Sequence, residues 1–223
     1  NLLTYSADFS NAAWTTTRSS ITSNTIVAPD GTLTGDKLVI DTTASTTHVI
    51  GQNYSITSGT TYTLSAYAKA GEITQINLRW NARFPAGSTT FDLTNGTLIN
   101  SGTVTASSIT LVGNGWYRCT FTQTANASGT AQNQIFLAAA GGITIATANG
   151  YDGVYIWGAQ LEAGAFPTSY IATTSATVTR NADTDNMTGS NFTSWYNQAE
   201  GTLYIDINPM ALAASNGVVI NDN

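Results

Sequence analysis

The chain has 223 residues, of which 42% are hydrophobic and only 9% charged, with a formal net charge of −6. That length suits one large domain, or one domain plus part of a second, and it is ample for burying a core. The acidic balance and scattered Lys and Arg residues argue against nucleic acid as a partner, which needs basic patches. No apolar run approaches the roughly 20 residues that cross a membrane as a helix, so membrane insertion is not expected. No signal peptide is read at the start, so a role outside cells implies release by lysis or as part of a particle. The single cysteine, Cys119, permits no intrachain disulfide.

Residues Asn1–Trp14 open with an apolar pair and continue to Phe9 and Trp14. Pro29-Asp30-Gly31 signals a turn. The run Thr34–Ile40 reads as a strand with Leu38 and Ile40 facing inward, and His48–Ile56 as another. In Thr61–Gly71 the period is two: Tyr62, Leu64, Ala66 and Ala68 form a core face, and Thr63, Ser65, Tyr67 and Lys69 a polar face with one aromatic. Glu72–Phe84 follows the same rule, with Ile76, Leu78 and Trp80 opposite Gln75, Asn77, Arg79 and Asn81. Pro85-Ala86-Gly87 is a loop, and Asn95-Gly96 a hairpin signal.

A hairpin or bulge at Gly113-Asn114-Gly115 precedes a strand from Trp116, where Cys119 shares a face with Tyr117 and Phe121 and reads as a small core residue. In Gln132–Ala138, Gln132, Gln134 and Phe136 lie opposite Asn133, Ile135 and Leu137. The last clear strand begins after Asp152, with Tyr155, Trp157, Ala159 and Leu161 on one face and Val154, Ile156, Gly158 and Gln160 on the other. Gly164 and Pro167 end it. Short strands at regular spacing predict an all-β sandwich of two antiparallel sheets. Leu64, Ala66, Leu78, Cys119 and Leu161 are expected in its core.

The runs TGDKLVID, TTYTLSAYAKAGE, FDLTNGT, VGNGWYRCTFT and VYIWGAQLEAGAFPTSYI, in this order, resemble the carbohydrate-binding-like jelly-roll modules of bacteriophage tail and virion proteins, which are similar to family 4-type carbohydrate-binding modules. The resemblance covers residues 1–171 and implies a jelly-roll fold there. Residues 172–190 read as a polar connector, and Asn191–Ile207 resembles the opening of a concanavalin-like or laminin-G-like sandwich. Too few residues follow for a complete second sandwich, so residues 191–223 are expected as a partial β extension whose Trp195, Tyr204 and Ile207 find cover on the first domain or on another chain. Asn208-Pro209 is placed to start a short helical turn.

The resemblance implies glycan binding in a groove on a concave sheet, within a virion or extracellular adhesion protein; a homo-oligomer within a virion is one arrangement left open. Sugars are held by aromatic faces and by amide, guanidinium and hydroxyl hydrogen bonds. The polar strand faces supply Tyr67, Lys69, Arg79, Asn81, Gln134 and Gln52 as carbohydrate-binding candidates. Tyr67, Lys69, Arg79 and Asn81 share one side if their two strands pair in one sheet. Trp80, Trp116 and Trp157 read as core. No cofactor is required. The resemblance also implies a structural calcium ion where the N-terminal segment meets the last strand, with Asp8 and Asp152 as candidates, although Asp in such places also forms turns.

Catalysis is not expected. Glycoside hydrolysis needs two carboxylates flanking one bond, and Glu72 and Glu162, the acids beside aromatic strands, are tied to no partner by spacing. His48 is the lone histidine, and no Gly-x-Ser-x-Gly elbow accompanies it. Two rival readings are a structural or assembly module without sugar binding, for which Trp195, Tyr196 and Tyr204 would serve as contacts, and an accessory domain of a depolymerase.

Overall fold

The computed structural model describes residues 1–140 and 142–179. The residues carrying the expected second element, with Trp195, Tyr196, Tyr204, Ile207 and the Asn208-Pro209 turn, lie outside the described residues. Fourteen strands are formed within them: β1 (Thr15–Thr17), β2 (Ser19–Ile26), β3 (Gly35–Ile40), β4 (Thr46–Thr47), β5 (Val49–Ile56), β6 (Thr61–Lys69), β7 (Gln75–Trp80), β8 (Ser88–Asp92), β9 (Thr97–Ser101), β10 (Ala106–Gly113), β11 (Trp116–Thr124), β12 (Gly129–Ala138), β13 (Thr144–Ile145) and β14 (Gly153–Ala163).

Two six-stranded sheets result. The first has the order β1-β5-β12-β7-β8-β9, the second β10-β11-β6-β14-β3-β2, and β4 pairs with β13 apart from both. Neighbouring strands in each sheet are antiparallel. The fold is therefore the all-β sandwich of two antiparallel sheets expected from the sequence. Its core is filled by the predicted alternate residues. Leu64, Ala66, Cys119 and Leu161 of the second sheet and Leu78 of the first are fully buried in one cluster, with Ile50, Ile76, Phe121 and Ile135.

Two short turns keep consecutive strands paired in one sheet. The Asn114-Gly115 turn joins β10 and β11 as a hairpin, and the short turn after Asp92 joins β8 and β9. The five residues 70–74 between β6 and β7 are long enough to cross the roughly 10 Å between packed sheets, and the chain does cross there. The crossing is held by Ile73, whose N–H donates to the Gly153 carbonyl at 3.1 Å.

In β14 the sequence pattern breaks. Val154 and Ile156 join Ala159 and Leu161 in the core, whereas Trp157 points outward. A bulge between Trp157 and Gln160 inserts the extra residue, and Gly158 takes φ +60 there, the left-handed region that glycine enters without a Cβ penalty. The expected single face of Tyr155, Trp157, Ala159 and Leu161 is thus split, since one extra residue exchanges the two faces beyond it.

The N-terminal residues are stitched to the far end of the domain. Asn1 Nδ2 donates to the carbonyls of Ala159 at 3.1 Å and Ile171 at 3.0 Å, while its Oδ1 accepts from the Leu3 and Leu161 N–H groups. Residues beyond 171 take part: Tyr5 and Ser6 donate to the carbonyls of Thr174 and Thr173, and Val178 donates to that of Asn1 at 3.0 Å. The first residues of the expected connector therefore belong to the sandwich.

Candidate functional site

Because β6 and β7 lie in different sheets, their polar faces point away from each other across the core. The expected grouping of Tyr67, Lys69, Arg79 and Asn81 on one side does not occur. Tyr67 and Lys69 are on the outer face of the second sheet, Arg79 and Asn81 on that of the first.

Tyr67 is 9% exposed. It meets Trp157 edge-on at 5.2 Å and Tyr170 at 6.1 Å between ring centroids, and Arg118 lies over its ring at 5.6 Å. Trp116 belongs to the same outer cluster, with its indole N–H donating to the Val27 carbonyl at 3.0 Å. This apolar patch is covered by segments remote in sequence, so Tyr67 is a packing residue. Lys69 donates to the Asn114 carbonyl at 2.7 Å. Gln52 is buried and clamps the N-terminal segment, accepting from the Thr4 N–H at 2.8 Å and donating to the Thr4 carbonyl at 2.9 Å. Tyr67 and Gln52 are thus covered by other parts of the chain, whereas Lys69 is half-buried on the outer face.

The structure does bring Arg79, Asn81 and Gln134 together. In the first sheet Gln134 of β12 stands opposite Arg79 of β7, and Arg79 opposite Ser88 of β8. The next outward row holds Phe136, Asn77 and Thr90. Arg79 lies over the Phe136 ring with its guanidinium carbon 5.4 Å from the centroid. Gln134 Nε2 donates to Gln132 Oε1 at 3.0 Å, and Asn81 Oδ1 accepts from the Gln132 N–H at 2.8 Å. Asn77 Nδ2 donates to the Thr90 hydroxyl at 2.8 Å, leaving its buried Oδ1 without a partner.

At the end of these strands a cleft of about 530 Å³ is lined by Arg79, Trp80, Asn81, Phe84, Pro85 and Ser88, among others. That volume is within the range of small-ligand clefts. The half-buried Phe84 ring stacks on Trp80 at 4.0 Å with planes 15° apart. The indole N–H of Trp80 is buried without a partner. The cleft thus offers an aromatic wall, the Asn81 amide, the Arg79 cation and the Ser88 hydroxyl at one end of a sheet. Sequence reading missed Phe84, which follows a strand and precedes Pro85 in a loop without periodicity. It also passed over Gln132 and Asn77, whose alternation with Gln134 and Arg79 was the available signal.

The calcium candidates do not converge. Asp8 Oδ1 accepts from the N–H and hydroxyl of Ser10, closing a local turn. The adjoining Phe9 N–H is held by Asp36, which pairs with Ile156. Asp152 lies four residues before Ile156, roughly 13 Å at strand rise. Among the described residues no group of three or more His, Cys, Asp or Glu side chains is gathered.

The two acids beside aromatic strands are both occupied. Glu72 accepts from Lys37 Nζ at 2.7 Å and from the Gly153 N–H at 3.1 Å, and the Lys37 hydrogen bond holds its carboxyl below the usual Glu value. Glu162 accepts from Gln160 Nε2 and from the N–H and hydroxyl of Thr168. His48 is fully buried, with Nδ1 against the Arg18 carbonyl.

No protein-family model matches the chain, and no curated protein matches it. Solved structures that are similar in backbone include the following two. One is the enzymatically active domain of bacteriophage CBA120 tailspike protein 4, at TM-score 0.42 and 17% identity, covering 70% of this chain and 20% of that one. The other is an arabinose-bound α-L-arabinofuranosidase, at TM-score 0.43 and 11% identity, covering 67% of this chain and 23% of that one.

Proposed function

We propose that the chain is a non-catalytic glycan-binding module, within a phage tail or other virion adhesion protein, and that it binds through the outer face of the first sheet and its adjoining cleft. The observation that carries this reading is the convergence of Arg79 and Asn81 on a cleft walled by Phe84 and Trp80, with Gln134 opposite Arg79 on the neighbouring strand. Amides and a guanidinium match sugar hydroxyls, and the aromatic wall matches the apolar face of a pyranose ring. The virion setting rests on the sequence resemblance. The non-catalytic part of the reading draws support from Glu72 and Glu162, each of which is held by other side chains.

Single sugar contacts are offset by desolvation, so one site should bind in the micromolar to millimolar range, about −8 to −4 kcal/mol. The test is a broad glycan array probed with the full chain. Phe84→Ala should weaken any binding found by about 0.5–1.5 kcal/mol, on the scale of an aromatic contact. Tyr67→Ala should lower thermal stability and leave affinity unchanged, because its ring lies on the opposite face.

A second reading has its own observation. The edge strands β9 and β10 carry no charged residue and expose Leu98, Ile99, Leu111 and Val112. Uncharged edges are templates for pairing with another chain, which suits an assembly module. An array with no bound glycan, together with self-association in sedimentation that Leu111→Lys abolishes, would favour that reading.

A further inference from the structure

We infer that the saccharide taken by this face carries a carboxylate, and that Arg79 is the group that receives it. The inference rests on the glycan-binding reading above and names the class of glycan.

Arg79 is half-buried, yet among the described residues no acid or hydrogen-bond acceptor meets its guanidinium; its described contact is the Phe136 ring beneath it. Each of the other partly buried cations among the described residues has at least one acceptor, although the Arg118 Nε is buried without one. Lys37 is paired with Glu72, Lys69 donates to the Asn114 carbonyl, and Arg118 donates to the Ser65 hydroxyl at 3.0 Å. Arg18 and Arg83 are exposed on turns. A guanidinium presents five donors in a planar fork that fits a carboxylate through two parallel hydrogen bonds. Resting one face on an aromatic ring fixes the plane and leaves the donor edge free.

The surroundings do not neutralise this charge. Gln134, Ser88, Asn77 and Phe136, the residues beside Arg79 on this face, are all neutral. The nearest outward acid of the adjoining strand is Asp92, four residues along β8 from Ser88, roughly 13 Å at strand rise. That exceeds the Debye length of about 8 Å at physiological salt. The Asp92 oxygens are also taken by the N–H groups of Thr94 and Asn95 and by Asn95 Nδ2 at 2.7 Å. A net charge of −6 gives no general attraction for polyanions, so recognition must be local to one cation. Gln134 and Asn81 stand beside it for the hydroxyls that flank a carboxylate on a sugar ring.

The experiment is an array of uronate- and sialate-bearing glycans printed beside their carboxyl-reduced counterparts, with neutral and sulfated glycans, probed with the full chain and its variants. At least one acidic glycan should bind, with a loss of about tenfold or more on carboxyl reduction. Arg79→Gln should reproduce that loss, and Arg79→Lys should recover part of it, since it keeps the charge without the fork. Arg83→Gln should bind as the parent does, and unchanged melting of each variant would show that the sheet is intact. Equal binding of acidic and reduced glycans, or full binding by Arg79→Gln, would overturn the inference and leave the glycan-binding reading standing. Sulfated glycans binding as well as uronates would overturn the carboxylate assignment in favour of any oxyanion. Absence of binding across the whole array would overturn both.

Discussion

Replacing Gly158 by Ala tests the join between the bulge in β14 and the outer aromatic cluster. Gly158 has φ +60, and a Cβ built there would lie 3.0 Å from Tyr67 Cδ2 and 3.3 Å from Tyr170 Cε2. Two costs combine. Holding an L residue in the left-handed region costs about 1–2 kcal/mol. Displacing two packed rings by a few tenths of an ångström adds about 1–2 kcal/mol of overpacking. Reduced freedom of the unfolded chain returns about 0.4–1 kcal/mol. The sum is a destabilisation of about 1–3.6 kcal/mol, centred on about 2.3 kcal/mol. For a chain of this size the central value lowers Tm by roughly 5–9 °C, at about 2–4 °C per kcal/mol. Gly59 supplies the control: its φ is +80 but nothing lies within 4 Å of an added Cβ. Gly59→Ala should therefore show the backbone cost alone, roughly 1–4 °C. Differential scanning calorimetry of both variants separates strain from crowding. If they melt together, the Tyr67–Trp157–Tyr170 cluster does not press on the bulge, and the account of Tyr67 as a packing residue fails.

Cys119 is fully buried and its thiol is pushed up by desolvation, so it should resist a maleimide in the native state and react only as denaturant opens the sandwich; labelling that precedes loss of the circular dichroism signal would contradict its place in the core. Glu72 has the opposite sign of shift: its carboxyl is held below the ordinary value of 4.5, first by the Lys37 hydrogen bond, so its stabilising contribution is present above that value and is lost as pH falls through the lower folded pKa. The Glu72 side chain is 47% exposed, which limits the pair to about 0–1 kcal/mol. The urea midpoint of Glu72→Gln should lie slightly below the parent at pH 7 and merge with it at strongly acid pH, and a gap that widens on acidification would refute the assignment.

The alternation of apolar and polar residues was sufficient to assign the faces of β6, β7, β11 and β12, because each runs without interruption and has one face against the core. It failed in β14, where Gly158 hides an inserted residue. A lone glycine inside a strand is a signal of such a bulge, but period counting alone passes through it. Alternation also says nothing about which strands share a sheet. The polar faces of β6 and β7 look equivalent in sequence, and the crossing at residues 70–74 sets them back to back. Tyr67 lies on the outer face as alternation requires, yet its ring is covered. Its cover comes from Tyr170 and from the segment holding Ala28, which local pattern does not connect to β6. Gln52 sits among apolar neighbours as a buried amide because the Thr4 backbone returns to meet it, and that contact spans 48 positions in the chain.

The division of the candidate site between sheet and loop has a consequence for binding. Gln134, Arg79 and Ser88 stand in register on β12, β7 and β8, three adjacent strands inside the first sheet rather than at its edges. Their backbones are fixed by ladders on both sides, so placing them against a ligand requires little further ordering. Phe84 instead belongs to the connection between β7 and β8, where stacking on Trp80 and the edge contact with Tyr62 at 6.0 Å hold the ring. The polar half of the site is therefore pre-organised by the sheet, while the aromatic wall depends on one stacked pair. Removing the Trp80 ring would release Phe84 as well as opening the core, so Trp80→Ala would confound stability with binding. Phe84→Ala leaves Trp80 packed against Phe121 at 4.4 Å, which makes Phe84 the residue at which the contribution of the wall can be read separately from that of the sheet.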